Sequence, residues 1–196
     1  MADTGKDLNV LGAIDNNFLM EVFIAAYKKG EAVKDWLYLA DGIEQIDQKT
    51  DDTKSSKSYM NGGGQTRTTV TGSTISYDIS GDRSIGNPAQ DLIAKLKGGT
   101  GVGRYSNLRV NQYTMNDDGS LTLIESEEGV ATWSDITDRG GKATDPKTFK
   151  ATATYNSKPK QIEKGDAKLT AILTDTPSVN AEILSTTATA ATGTPS

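Results

Sequence analysis

TGSTISYDISGDRSIGNPAQDLIAKLKGG, residues 71–99, passes from a strand pattern to a helix pattern within a few residues. Val70, Ile75, Tyr77 and Ile79 give Thr66 to Ser80 its β character, and Gly72 is placed to mark a bulge or bend. Asn87 then supplies a helix cap, Pro88 suits the first helical position, and Gln90 stands where it can complete a capping box. Leu92, Ile93 and Leu96 form an apolar stripe. Lys95 and Lys97 complement the C-terminal dipole, and Gly98-Gly99 ends the helix.

Outward from this segment the chain reads as β structure. Phe18 to Tyr27 is rich in aromatic and branched residues, and the turn Lys28-Lys29-Gly30-Glu31 leads to Trp36-Leu37-Tyr38-Leu39, predicting a hairpin. Ile43 to Thr50 begins as a strand, but its apolar signal fades. From Asp47 to Gln65 the sequence DQKTDDTKSSKSYMNGGGQ is polar, mixed in charge and short of apolar area, so residues 47–65 are expected to form a structureless arm between two strands. Downstream, Leu108 to Met115 and Leu121 to Glu127 predict a second hairpin around Asn116-Asp117-Asp118-Gly119. Gly129 to Thr137, Thr148 to Tyr155 and Lys168 to Thr174 are further strand candidates. The sum is about seven strands and one helix, a mostly β chain built as a sandwich or barrel with one flanking helix. Residues 1–16 read as an N-terminal arm, 17–175 as the β domain, and 176–196 as a flexible low-complexity tail.

The 196 residues suffice for a core without a disulfide or metal staple, and there is no cysteine. A net charge of −5 repels phosphate backbones, and the basic residues read as scattered singly among acids, which argues against a DNA-gripping surface. The most apolar run, Phe18 to Tyr27, is interrupted by Glu21 and falls short of the ~20 residues of a membrane-spanning helix. No secretion signal is read at the N-terminus, which sets the expectation of a protein made in a cytoplasm.

With no histidine and no cysteine, Ser-His-Asp and Cys-His relays and imidazole or thiolate metal sites are ruled out. Gly98 to Gly103 follows a helix and lacks the spacing of a phosphate loop, so it reads as a flexible helix exit. Thr114 to Glu125 places Asn116, Asp118, Gly119 and Glu125 at calcium-loop positions. Thr114 stands where an aspartate is required and strands flank the segment, which favours a plain hairpin turn. Glu125 with Glu127, or Asp117 with Asp118, could serve a glycosidase only if paired in a cleft, and solvated acids are the default. Trp36 and Trp133 read as core or interface anchors. No catalytic residue, cofactor or metal is assigned.

The order of elements carries a resemblance: an early hairpin, a long polar arm, GSTISYDISGDRS feeding NPAQDLIAKLKGG, the hairpin LRVNQYTMNDDGSLTLIE, and the strand TFKATATYNSKP. Over residues 15–160 this resembles the major tail tube proteins of long-tailed bacteriophages, especially siphophages of Gram-positive hosts. The resemblance implies a non-enzymatic subunit assembled in the host cytoplasm and carried in the virion tail. Six copies would form a ring, and stacked rings a tube whose inner β-barrel lets DNA out without binding it specifically. It further implies the partners of such a tube: copies of itself, the tape measure, the tail terminator and distal tail proteins, with no membrane. Closing strands into a shared barrel removes exposed edges. In that frame Thr50, Tyr59, Met60 and Gly64 belong to the arm that packs on neighbours, and Glu44, Asp47, Glu125 and Glu127 are candidates for an acidic lumen. The competing reading is an extracellular immunoglobulin-like or carbohydrate-binding module, which would stay monomeric and bind a glycan; a carboxylate enzyme ranks behind both.

Overall fold

The computed structural model describes residues 20–63, 65–115 and 121–163. Eight strands, β1 (Met20–Ala26), β2 (Leu37–Tyr38), β3 (Ile43–Ser58), β4 (Thr66–Asp82), β5 (Tyr105–Met115), β6 (Leu121–Thr137), β7 (Thr148–Tyr155) and β8 (Lys160–Glu163), join one antiparallel sheet. One helix, α1 (Pro88–Leu96), lies between β4 and β5. The strand order is β2-β1-β5-β6-β7-β4-β3, with β8 paired to β6 outside that path. The mostly β fold with one flanking helix is therefore the one expected. Both hairpins foreseen, β1 with β2 and β5 with β6, are formed. The 116–119 turn, the Lys168–Thr174 strand, residues 1–16 and residues 176–196 fall outside the described residues.

Alternation selects which side chains meet in the core. Val22, Ile24, Leu108 and Val110 from β1 and β5 share one buried cluster with Tyr77, Ile79, Phe149, Ala151, Ala153 and Tyr155 from β4 and β7. The two wings can share a core only because the sheet folds over itself, and β6 is where it folds. Residues 125–128 of β6 pair with β8, and beyond Gly129 the same strand edge pairs with β7 from Ala131 onward. A Cβ at residue 129 would lie 3.0 Å from the Tyr155 ring, a tight approach that glycine relieves at the bend. Trp133 is fully buried at the centre of the core, and its indole N–H donates to Ser106 Oγ at 2.6 Å.

Helix α1 closes the open side of this core. Asn87 accepts hydrogen bonds from Ala89 N and Gln90 N, as its place in the sequence requires, and Ile93 is completely buried with Leu92 and Leu96 packed at its flanks. Gln90 does not complete a capping box. Its buried amide accepts from Ser84 N and Arg83 Nη1, and donates to Asp41 O and Asp82 O. Four backbone and side-chain groups left open by the β2–β3 and β4–α1 turns are satisfied there, which outweighs one cap bond. The glycine run after α1 is ordered too: Gly101–Arg104 forms a 3-10 turn, and the Arg104 guanidinium donates to Gly99 O, Lys97 O and Trp133 O.

Ile93→Ala should cost about 2–5 kcal/mol in denaturant unfolding, because a fully buried side chain is removed. Leu96→Ala, at the half-buried edge of the same stripe, should cost clearly less. Equal losses would show that the stripe's edge carries as much of the packing as its centre.

Candidate assembly surface

The long polar segment expected to lack structure is one half of a β-hairpin. Strand β3 continues through Ser58 and pairs residue by residue with β4, from Ile43↔Gly81 to Ser58↔Thr66. Low apolar content misled the reading, since backbone pairing needs no apolar side chains when two strands run beside each other. Cross-strand hydroxyl pairs replace apolar contacts: Ser56 with Thr68 at 3.0 Å and Ser58 with Thr66 at 3.1 Å. The bulge foreseen at Gly72 is present, where the register shifts between Thr53↔Gly72 and Lys54↔Val70. From Thr50 outward the hairpin projects with both faces largely exposed, and β3 is the last strand of the sheet. Its outer backbone edge has no partner strand among the described residues.

The root of this arm is fastened tightly. Asp82 N donates to Gly42 O at 2.7 Å, and a Cβ on Gly81 would lie 2.1 Å from that same oxygen. Gly42 sits at φ +74, a left-handed conformation that favours glycine. On the outer face Lys49 forms an ion pair with Asp78, which also accepts from Thr152 Oγ1 on β7 at 2.6 Å. The Lys49 bond is the main cause of the lowered Asp78 pKa.

Of the residues assigned to the arm, Thr50 is exposed opposite Ile75, Tyr59 is half-exposed beside the 3-10 turn at the tip, and Met60 is fully exposed. Gly64 lies outside the described residues. The basic residues of the arm, read as scattered in sequence, are clustered by the hairpin. Lys57 stands directly opposite Arg67, and with Tyr59, Ser55, Thr69 and Thr71 they line a shallow pocket of about 290 Å³.

The four acids nominated for a lumen do not share one surface. Glu44 and Asp47 are exposed on β3, and Asp47 accepts from Gln45 Nε2 at 2.7 Å. Glu125 is half-buried on β6. Glu127 is 5% exposed and faces the core, which corrects its placement on a water-filled wall. It pairs with Val110 across β5, so strand alternation turns it inward, where the Tyr77 hydroxyl donates to its Oε1. Tyr77 in turn accepts from Gln48 Nε2 at 3.1 Å, and the Tyr155 ring meets the Tyr77 ring edge-on at 6.2 Å. Burial pushes the Glu127 carboxyl up, the Tyr77 hydrogen bond opposes this, and the neighbouring Glu125 charge adds to the rise. Both tyrosine hydroxyls are raised, first by burial and then by Glu127. Glu125, two residues away on the same face of β6, pairs with Gln112 nearer the end of the strand and is covered less fully.

No family model and no curated protein sequence matches the chain. Solved structures do. One is described as the tail of an empty GTA particle with C6 symmetry, with a TM-score of 0.53 and 11% identity, covering 75% of this chain and 98% of that one. The cap that terminates the tube of the anti-feeding prophage gives a TM-score of 0.51 and 14% identity, covering 83% and 99%. The sheath/tube terminator of an extracellular contractile injection system, PVC, gives 0.50 and 11%, covering 78% and 99%. The chain has the fold of these tail and tube components. The tail-tube fold expected from the sequence is thus the fold observed, and each of these neighbours is matched over nearly its whole length. Among the described residues no helix is long and apolar enough to cross a membrane, and no group of acids is arranged to hold a metal.

The raised Glu127 pKa gives a signed prediction. A carboxyl that binds its proton more tightly when folded adds stability below its unfolded value of 4.5, and this is lost as pH rises through the folded value. Glu127→Gln keeps the oxygen that Tyr77 needs and removes the charge. At pH 7 the variant should therefore melt at or above the wild-type temperature, and the difference should vanish as pH falls below about 4.5. A variant that melts lower at pH 7 and recovers in acid would show that the charged form stabilises the fold.

Proposed function

We propose that this chain is a structural, non-enzymatic subunit of a tail tube in a long-tailed phage. Copies of it form hexameric rings, and the rings stack into a conduit for DNA ejection. The observation that carries the reading is the shared fold over almost the full length of tail and tube-terminator chains, the first of them from a particle tail with C6 symmetry. The molecule also has the means to assemble. Among the described residues its sheet ends in a long strand with an open edge, and an arm projects beyond the body. An open, two-sided polar edge is a liability for a monomer and a joint for an oligomer. A head-to-tail interface that closes after six copies gives a ring, and repeated stacking gives a tube.

The proposed partners follow from this role: neighbouring copies, a tape measure within, and terminator and distal tail proteins at the ends, with the mature tube in the virion. DNA would pass without being held, so the wall should present acids or neutral groups rather than cations. Glu44, Asp47 and Glu125 remain the proposed acidic contributors.

Electron microscopy of the purified protein at rising concentration should show rings and open-ended tubes. A chain that stays monomeric at high concentration, with and without tail partners, overturns the proposal. Replacing Thr53–Gly72 by Asn-Gly joins the paired Asp52 and Ser73 through a favoured two-residue turn. This truncation should leave the melting transition intact and abolish tubes; normal tubes from it would remove the arm from the assembly.

A further inference from the structure

The hairpin arm is electrically two-ended. Between Thr53 and Tyr77 the chain carries Lys54, Lys57 and Arg67 and not one acid, a local charge of +3 in a protein of net charge −5. The adjoining stretch of β3, Ile43 to Asp52, carries Glu44, Asp47, Asp51 and Asp52 against Lys49 alone, a local charge of −3. The β3–β4 register brings the tip cations together, with Lys57 directly across from Arg67. Like charges directly opposite each other destabilise a strand pair, so this arrangement costs the isolated hairpin stability. Among the described residues none of the three cations forms an ion pair, and all are exposed. The one cation at the root, Lys49, is held by Asp78, which leaves the adjacent Asp51 and Asp52 exposed on the open edge strand, one on each face.

We propose that the cationic tip of the arm docks on the acidic β3 root of a second copy of this chain, with Lys57 and Arg67 straddling the Asp51-Asp52 step of the neighbour. This rests on the tail-tube reading and adds to it the partner surface and the force that sets the direction of assembly. Charge complementarity selects the occupant: the tip matches the root of an identical copy, and the contact is head-to-tail, so each copy offers one of each end. Tip on tip and root on root repel, which selects against like-on-like contacts between copies. Because both surfaces are exposed before contact, assembly weakens as salt screens them, with a Debye length of about 10 Å at 0.1 M.

The test is a charge swap on the full chain, read by sedimentation and electron microscopy at low and high salt. Wild type should assemble at low salt and disassemble, at least in part, at high salt. K57E/R67E should remain monomeric, as should D51K/D52K, while the two variants mixed, or the four changes in one chain, should assemble again. R67E alone provides the folding control, because it places an opposite charge across from Lys57: its melting temperature should match or exceed wild type while its assembly fails. If wild type never assembles, both the tail-tube reading and this proposal fall. If wild type assembles and K57E/R67E does so equally well, or the swap does not restore assembly, only the charge pairing falls. A tip that binds a DNA duplex, with that binding and not assembly lost in K57E/R67E, likewise overturns it in favour of a nucleic-acid surface.

Discussion

The fold depends on one close approach, that of the Tyr155 ring to the backbone of Gly129. Strand β6 is 17 residues long, and a flat strand of that length could not face both wings of its own sheet. With no side chain at residue 129, the Tyr155 ring lies against the strand, β6 gives up β8 as its neighbour and takes β7, and the wings close on each other. Trp133, just beyond the bend, fills the space that closure creates, and α1 seals what remains. A Cβ at 129 would press on an aromatic ring that is itself part of the core, which would have to give by a few tenths of an ångström.

Closure also explains a polar group in an apolar interior. Glu127 lies two residues before the bend, on the face that turns inward, and its carboxylate is met by a hydroxyl from β4. The chain Gln48–Tyr77–Glu127 ties β3, β4 and β6 together across the fold, joining the strand that carries the arm to the strand that bends. A buried carboxylate in such a network specifies geometry more than it adds stability, because desolvation offsets much of what its hydrogen bonds contribute.

Most of the architecture was legible where local signals were strong. The Asn87 cap, Pro88 and the Leu92-Ile93-Leu96 stripe place α1, and the alternation of Phe149, Ala151, Ala153 and Tyr155 places β7, since the wet side of that strand is made of Lys150, Thr152 and Thr154. The arm was illegible because its order comes from pairing at a distance: Thr53 and Gly72 meet only when β4 is laid beside β3, and neither segment alone carries the signal. The same holds for charge. Lys54, Lys57 and Arg67 look scattered along the chain and become a cluster only through the register. Gln90 and Glu127 were misassigned for a related reason, as both were read from their own elements while their partners come from Asp41, Asp82 and Tyr77.

The clasp made by Gln90 has a mechanical side. It grips the carbonyls of Asp41 and Asp82, beside the start of β3 and at the end of β4, and it does so from the first turn of α1. Beyond Thr50 strand β3 runs eight more residues, to Ser58, or about 27 Å at 3.4 Å per residue, so a single degree of rotation where the arm emerges carries the tip through about 0.5 Å. The helix thus anchors the base of the ribbon that carries the arm. A load carried down the ribbon from its tip meets the β4–β7 pairing first and the first turn of α1 last.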